Sequence, residues 1–141
     1  MISITERGDA ALHHNWVDWV INDKPAILIT KNPELLHTVL VNKVYPKNNN
    51  PNIIVHGTIT GFGGSKLEPG VKSYKRMILG LVDIANLIGP SRTILRIDPI
   101  IPTSKGTSGQ RKVCACLSLK KELLNHRGQC QHNCLYCYWK E

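Results

Sequence analysis

The sequence predicts an α/β fold: a mostly parallel sheet with helical crossovers. Short apolar runs that read as buried strands alternate with segments whose apolar residues recur at helical spacing, in the order β-α-β-α-β-α-β. Nearly every change of element is marked by a proline, a glycine or a capping residue. Four strands with crossover helices are half of an eight-stranded β/α barrel, so residues 1–101 read as a half-barrel-like domain. Residues 102–141 read as a linker and an irregular Cys-rich, metal-binding tail packed on it.

Residues 2–5 form the first predicted strand. Leu12, Trp16, Trp19 and Val20 then recur at helical spacing, which predicts a helix over residues 10–22 with both tryptophans in the core. Pro25 ends that helix, and the run of apolar residues 26–29 predicts a buried second strand. Asn32 followed by Pro33 is an N-cap with proline at the first helical position, and Leu35, Leu36, Val39 and Leu40 supply the apolar stripe of the next helix. A polar turn at residues 47–51 leads to a third strand over residues 53–60 and then to the loop Gly61-Phe62-Gly63-Gly64. Val71, Tyr74, Ile78, Leu81, Val82, Ala85 and Ile88 mark a longer amphipathic helix, stopped by Gly89-Pro90 before a fourth strand over residues 93–97. Residues 102–109, rich in Pro, Ser, Thr and Gly, predict a loop, and residues 117–124 a helical turn within the tail.

The composition is that of one globular domain with its own core, without a low-complexity tract, a membrane span or a signal-like apolar N-terminus, so a cytoplasmic protein with no membrane partner is expected. A formal net charge of +8 suits a polyanionic partner such as nucleic acid, although the basic residues are scattered and equally suit a solvated surface. An exposed half-barrel would also be completed by a homodimer or a partner subunit.

All five cysteines lie between Cys114 and Cys137. A disulfide framework would spread pairs along a small secreted chain and would not leave an odd thiol, so clustering indicates a metal or redox site. Cys130, Cys134 and Cys137, spaced by three and then two residues, can wrap one face of an iron–sulfur cube and leave one iron open to an external ligand. S-adenosylmethionine can chelate such an iron and be cleaved by an electron from the cluster. The residues also admit a tetrahedral zinc site in which Cys114 and Cys116 join Cys134 and Cys137, with His126 and His132 as further donors. That site would make the protein a zinc-binding interaction or nucleic-acid module. A third reading is an iron–sulfur protein that transfers electrons, or serves as an assembly subunit, without cleaving the cofactor.

The three-cysteine spacing, with aromatic Tyr136 before the last thiol, resembles the signature of the radical S-adenosylmethionine superfamily. Thr58-Ile59-Thr60, Leu67-Glu68-Pro69-Gly70, Arg76 and Asp98-Pro99-Ile100-Ile101-Pro102 resemble the middle of spore-photoproduct-lyase-like enzymes. The sequence more closely resembles an uncharacterised radical-enzyme-like family whose cysteine motif is C-terminal. The similarity includes Ile2-Ser3-Ile4-Thr5-Glu6-Arg7-Gly8-Asp9, Thr30-Lys31-Asn32-Pro33, Arg96-Ile97-Asp98-Pro99 and Cys114-Ala115-Cys116-Leu117-Ser118. The resemblance implies a four-iron, four-sulfur cluster and S-adenosylmethionine as cofactors, on an enzyme whose substrate it does not specify. It departs from the superfamily in carrying the motif near the end of the chain, so the tail must fold back over the sheet. It departs from the related family in being shorter between Pro102 and Cys114.

Ligands of parallel α/β folds gather at the carboxyl ends of the strands. Candidate cofactor-binding residues there are Arg7 and Asp9 after the first strand, Lys31 after the second, Thr60, Gly61, Gly63 and Gly64 after the third, and Arg96 and Asp98 at the end of the fourth. Arg7, Lys31 and Arg96 suit a carboxylate or phosphate, Asp9 and Asp98 an amine or ribose, and the glycines close backbone approach. Simple turns at the glycines and an ion pair between Arg96 and Asp98 account for the same residues without a ligand.

Overall fold

The structure is a computed structural model that describes residues 2–5, 8–97, 120–122 and 132. Four parallel strands run in sequence order: β1 (Ile2–Ile4), β2 (Ala26–Thr30), β3 (Ile53–Thr58) and β4 (Thr93–Arg96). Between them lie α1 (Val17–Ile21), α2 (Pro33–Val39) and α3 (Tyr74–Ile88). The α/β class and the parallel sheet with helical crossovers are as the sequence predicts.

Register follows from which face is buried. Ala26, Leu28 and Thr30 of β2 pair with Ile53, Val55 and Gly57 of β3, and all six are buried. The alternate residues Ile27, Ile29, Ile54 and His56 are less buried, so a slip of one residue would turn the apolar set outward. Helical side chains cover the buried face. Val20 of α1, Leu36 of α2, and Leu81, Ile84 and Ile88 of α3 form one core with Ala26, Leu28, Ile53 and Val55. Burying each large aliphatic side chain in this way contributes about 1.5–3 kcal/mol.

Local chemistry sets where the helices start and stop. The Asn32 side chain accepts a hydrogen bond from the Leu35 amide at 3.2 Å, capping α2 as its residue type predicts. Beyond Val39 the helix continues as a π-helical turn, Leu40–Val44, closed by the Tyr45 amide on the Leu40 carbonyl at 3.0 Å. The Tyr45 hydroxyl donates to the Leu87 carbonyl at 3.0 Å and ties that turn to α3.

Helices α2 and α3 meet at Gly80. A Cβ there would lie 2.5 Å from the Glu34 backbone nitrogen and 2.9 Å from its Cα. Alanine normally favours a helix over glycine by about 1 kcal/mol, but here the overpacking cost exceeds it. Gly80→Ala is expected to destabilise the fold by about 1–2 kcal/mol, read as a lower urea midpoint with unchanged slope.

The first helix is shorter than its periodicity predicts. Only Val17–Ile21 is α-helical, and the preceding residues form turns organised by Asp9. The Leu12 and His13 amides both donate to the Asp9 carbonyl at 3.0 Å, and the Trp16 indole donates to the Ala10 carbonyl at 2.9 Å. Groups that would begin a helix are committed to presenting Asp9. Trp16 is fully buried as expected, whereas Trp19 is only partly buried, with Lys24 stacked 4.7 Å from its ring centroid.

The expectation of a helical turn over residues 117–124 is corrected at its centre: Lys120–Glu122 is a strand, β5, parallel to β1 in the register Ile2–Lys120 to Ile4–Glu122, while residues 117–119, 123 and 124 lie outside the described residues. Lys and Glu have weak strand preference, so local propensity pointed the other way. What decides it is the open edge of β1, whose backbone groups need partners.

The sheet order is therefore β4-β3-β2-β1-β5. From β1 the chain builds outward in one direction through β4 and then returns to the other side of β1. The order reverses between β1 and β5, which makes that junction a topological switch point, where open α/β sheets place their ligand crevice. Among the described residues, no helix is long and apolar enough to cross a membrane.

Candidate functional site

A connected set of buried polar side chains lies at the carboxyl ends of β1, β2 and β3. Asp9, just beyond β1, is 4% exposed and accepts four hydrogen bonds. Its Oδ1 accepts from the Ala11 amide at 2.8 Å and the Thr30 hydroxyl at 2.7 Å. Its Oδ2 accepts from the Lys31 amide at 2.6 Å and lies 2.6 Å from His132 Nε2. The Ala10 amide donates to the Ile29 carbonyl at 3.0 Å, holding this turn against the end of β2.

His132 is the middle residue of Cys130-Gln131-His132-Asn133-Cys134 and sits 123 positions from Asp9 in the chain. Its Nδ1 faces the Gly70 carbonyl at 3.3 Å, and its own carbonyl accepts from the Gly70 amide at 3.2 Å. Both ring nitrogens face oxygen acceptors, so a ring protonated at both positions satisfies both contacts. Burial alone would lower the imidazole pKa, but the hydrogen bond to Asp9, the Asp9 charge and the Gly70 carbonyl carry it above the usual histidine value, against the charge of Lys31. For Asp9, burial alone would raise the carboxyl. Its hydrogen bond to His132, the charge of His132, and the Thr30 and Lys31 donors hold it below the usual carboxylate value.

Lys31 carries the network onward. Its ammonium, one-fifth exposed, pairs with Glu68, whose side chain is completely buried. The other Glu68 oxygen accepts from the Thr60 hydroxyl. The carbonyl of Glu68 accepts from the Gly64 amide at 3.1 Å and the Val71 amide at 3.2 Å, so this acid also organises the loop after β3. The result is one chain of contacts, His132–Asp9–Lys31–Glu68–Thr60.

Of the sequence-predicted cofactor residues, Asp9, Lys31 and Thr60 come together here. Gly61 and Gly64, at φ of 82° and 80°, supply the left-handed turns of the loop. Gly63 permits a close approach: a Cβ there would lie 1.9 Å from the Lys72 carbonyl oxygen. Arg96 ends β4, two strands from β2, and its carbonyl accepts from the Ile59 amide at 2.8 Å. Arg7 and Asp98 lie outside the described residues, as do Cys114, Cys116, Cys130, Cys134 and Cys137. Among the described residues, no three or more His, Cys, Asp or Glu side chains are grouped so as to hold a metal ion.

Glu68 and His132 complete the network without standing among the candidate cofactor-binding residues. Glu68 carries only the signal of lying in Leu67-Glu68-Pro69-Gly70, and His132 appeared only as a spare nitrogen donor. The fold and site together define a parallel α/β protein with a buried polar network across the carboxyl ends of its central strands. Comparison of the chain with protein-family models, with curated proteins and with solved structures finds no match.

The Asp9–His132 pair makes stability depend on pH in a defined window. A lowered Asp9 pKa stabilises the fold above the unfolded carboxyl value of about 4 and is lost as pH falls. A raised His132 pKa stabilises fully below the unfolded value of about 6.5 and is lost as pH rises through the folded value. The urea-midpoint difference between wild type and His132→Ala is therefore expected to be largest between about pH 4 and 6.5 and to shrink at higher pH. A pH-independent difference would contradict the pairing.

Proposed function

We propose that this protein binds a four-iron, four-sulfur cluster through Cys130, Cys134 and Cys137 and is a radical S-adenosylmethionine enzyme. The observation that carries this reading is the seating of His132, from inside the three-cysteine motif, on Asp9 at the carboxyl end of β1. That is the sheet end, beside the switch point, where α/β proteins bind their ligands.

The donor set suits the cluster. Three thiolates are soft anionic ligands for three irons and leave a fourth iron for an external chelator. His132 is engaged by Asp9 and Gly70, which leaves it poorly disposed as a nitrogen ligand to zinc. When bound, such a cluster supplies the electron that splits a sulfonium carbon–sulfur bond. The chain's own residues orient and enclose. Asp9 and Glu68 hold the ends of β1, β2 and β3 in one arrangement, and Lys31 and Thr60 are fixed by that arrangement at the rim.

The half-barrel belongs to the same reading, since β1 to β4 lie in unbroken order as four parallel strands joined by the three crossover helices α1, α2 and α3. The net charge of +8 supports a polyanionic substrate, and nucleic acid is that class.

Protein purified without oxygen is expected to be brown, with iron and sulfide in roughly equal amounts. With a strong reductant it should release 5′-deoxyadenosine from S-adenosylmethionine, and Cys134→Ser should abolish cluster retention. One zinc and no sulfide would reject the proposal in favour of a zinc module. A cluster without cofactor cleavage would leave an electron-transfer or assembly protein.

A further inference from the structure

The inference concerns what Asp9 and His132 do for the cysteine motif, and it rests on the metal-binding part of the reading above. Two residues of extended chain reach at most about 7 Å, so a residue two positions from a fixed anchor has little room to wander. Cys130 and Cys134 are each two positions from His132. His132 is anchored on three sides: its Nε2 on Asp9, its Nδ1 on the Gly70 carbonyl, and its backbone carbonyl on the Gly70 amide. Asp9 in turn is held by the Ala11 amide, the Thr30 hydroxyl and the Lys31 amide, donors from the β1–α1 turn and the end of β2.

We propose that Asp9 and His132 are positioning residues for the metal site: their pairing fixes His132, which the sequence sets between Cys130 and Cys134, at the carboxyl end of the sheet, and so governs how firmly the metal is retained, without ligating it. A metal-binding segment with one residue already anchored loses less conformational freedom on binding, and outer partners of this kind commonly change retention by about 10–100-fold. The same geometry makes the effect a property of the pair. Once either partner is gone, removing the other changes little more.

The test uses the full chain, reconstituted anaerobically with ferrous iron and sulfide, and follows iron extraction by a chromophoric chelator at low temperature. Wild type, Asp9→Asn, His132→Ala, His132→Gln and the double variant Asp9→Asn/His132→Ala are compared, with circular dichroism confirming that each is folded. His132→Ala is expected to release iron at least about tenfold faster, with His132→Gln partly restoring retention because its amide can still donate to Asp9. The double variant should be no faster than the single ones. Sulfur-only coordination by X-ray absorption should be the same in wild type and His132→Ala.

Equal release rates in folded wild type and variants would overturn the inference while the cluster reading stands. Additive effects, or a lost nitrogen ligand in His132→Ala, would also overturn it, the latter by making His132 a ligand. Wild type that retains no iron and sulfide would overturn the reading on which the inference rests, and the inference with it. Should the Asp9→Asn or His132→Ala protein fail to fold, His132→Phe decides instead: it keeps a ring and removes both nitrogens, and wild-type retention there would refute the role.

Discussion

Replacing Asp9 with alanine is expected to cost about 3–5 kcal/mol of folding stability, the range found when one partner of a buried ion pair is removed. The size follows from what the carboxylate holds. With it gone, the Ala11 and Lys31 amides, the Thr30 hydroxyl and the His132 ring lose an acceptor inside a region shielded from water. His132→Ala is expected to cost less, about 1–3 kcal/mol, because Asp9 keeps its three donors from Ala11, Thr30 and Lys31. Urea unfolding of the two variants checks the order, and equal losses would mean that Asp9 acts only through His132. Natural domains hold roughly 5–15 kcal/mol in total, so Asp9→Ala alone would take a large part of the margin.

The second large effect is expected at Glu68. Its side chain is fully buried, pairs with the Lys31 ammonium and accepts from the Thr60 hydroxyl, and its carbonyl closes the turn that carries Gly64 and Val71. Glu68→Ala removes the buried anion and leaves a void, for an expected loss of about 3–5 kcal/mol. Glu68→Gln separates charge from shape. The amide oxygen can still accept from Thr60, and the Lys31 ammonium, one-fifth exposed, can turn toward water. Its expected cost is about 1–2 kcal/mol. Thermal and urea unfolding of both variants would read this out. A glutamine variant as unstable as the alanine one would show that the charge, and not the packed shape, holds the loop.

Much of the fold was legible because its signals are local. Short apolar runs bounded by turn residues located β2 and β3, Asn32-Pro33 announced the start of α2, and Gly89-Pro90 announced the end of α3. Local signals also misled in two places. The helical spacing of Leu12, Trp16, Trp19 and Val20 is real, yet Asp9 draws the amides of Leu12 and His13 into turns and only Val17–Ile21 remains helical. Lys120–Glu122 has helix-favouring residues but completes the edge of β1 as a strand. In the first case local turn bonds, and in the second a tertiary edge, outweighed a preference of well under 1 kcal/mol per residue.

The site divides along the same line. That Asp9, Lys31 and Thr60 would fall at one end of a parallel sheet was readable, because strand order and connection rules place successive loops together. That Asp9 would meet a histidine 123 positions away, inside the cysteine motif, was not. Residue identity and spacing determined the α/β class, the sheet direction, the caps and the candidate residues, since each depends on interactions within a few positions. The strand order with β5 beside β1, the burial of Glu68 and the pairing of His132 with Asp9 were decided only in three dimensions. Each requires chain segments to be brought together by the shared burial of the sheet, and no local preference encodes which buried charge will find which partner.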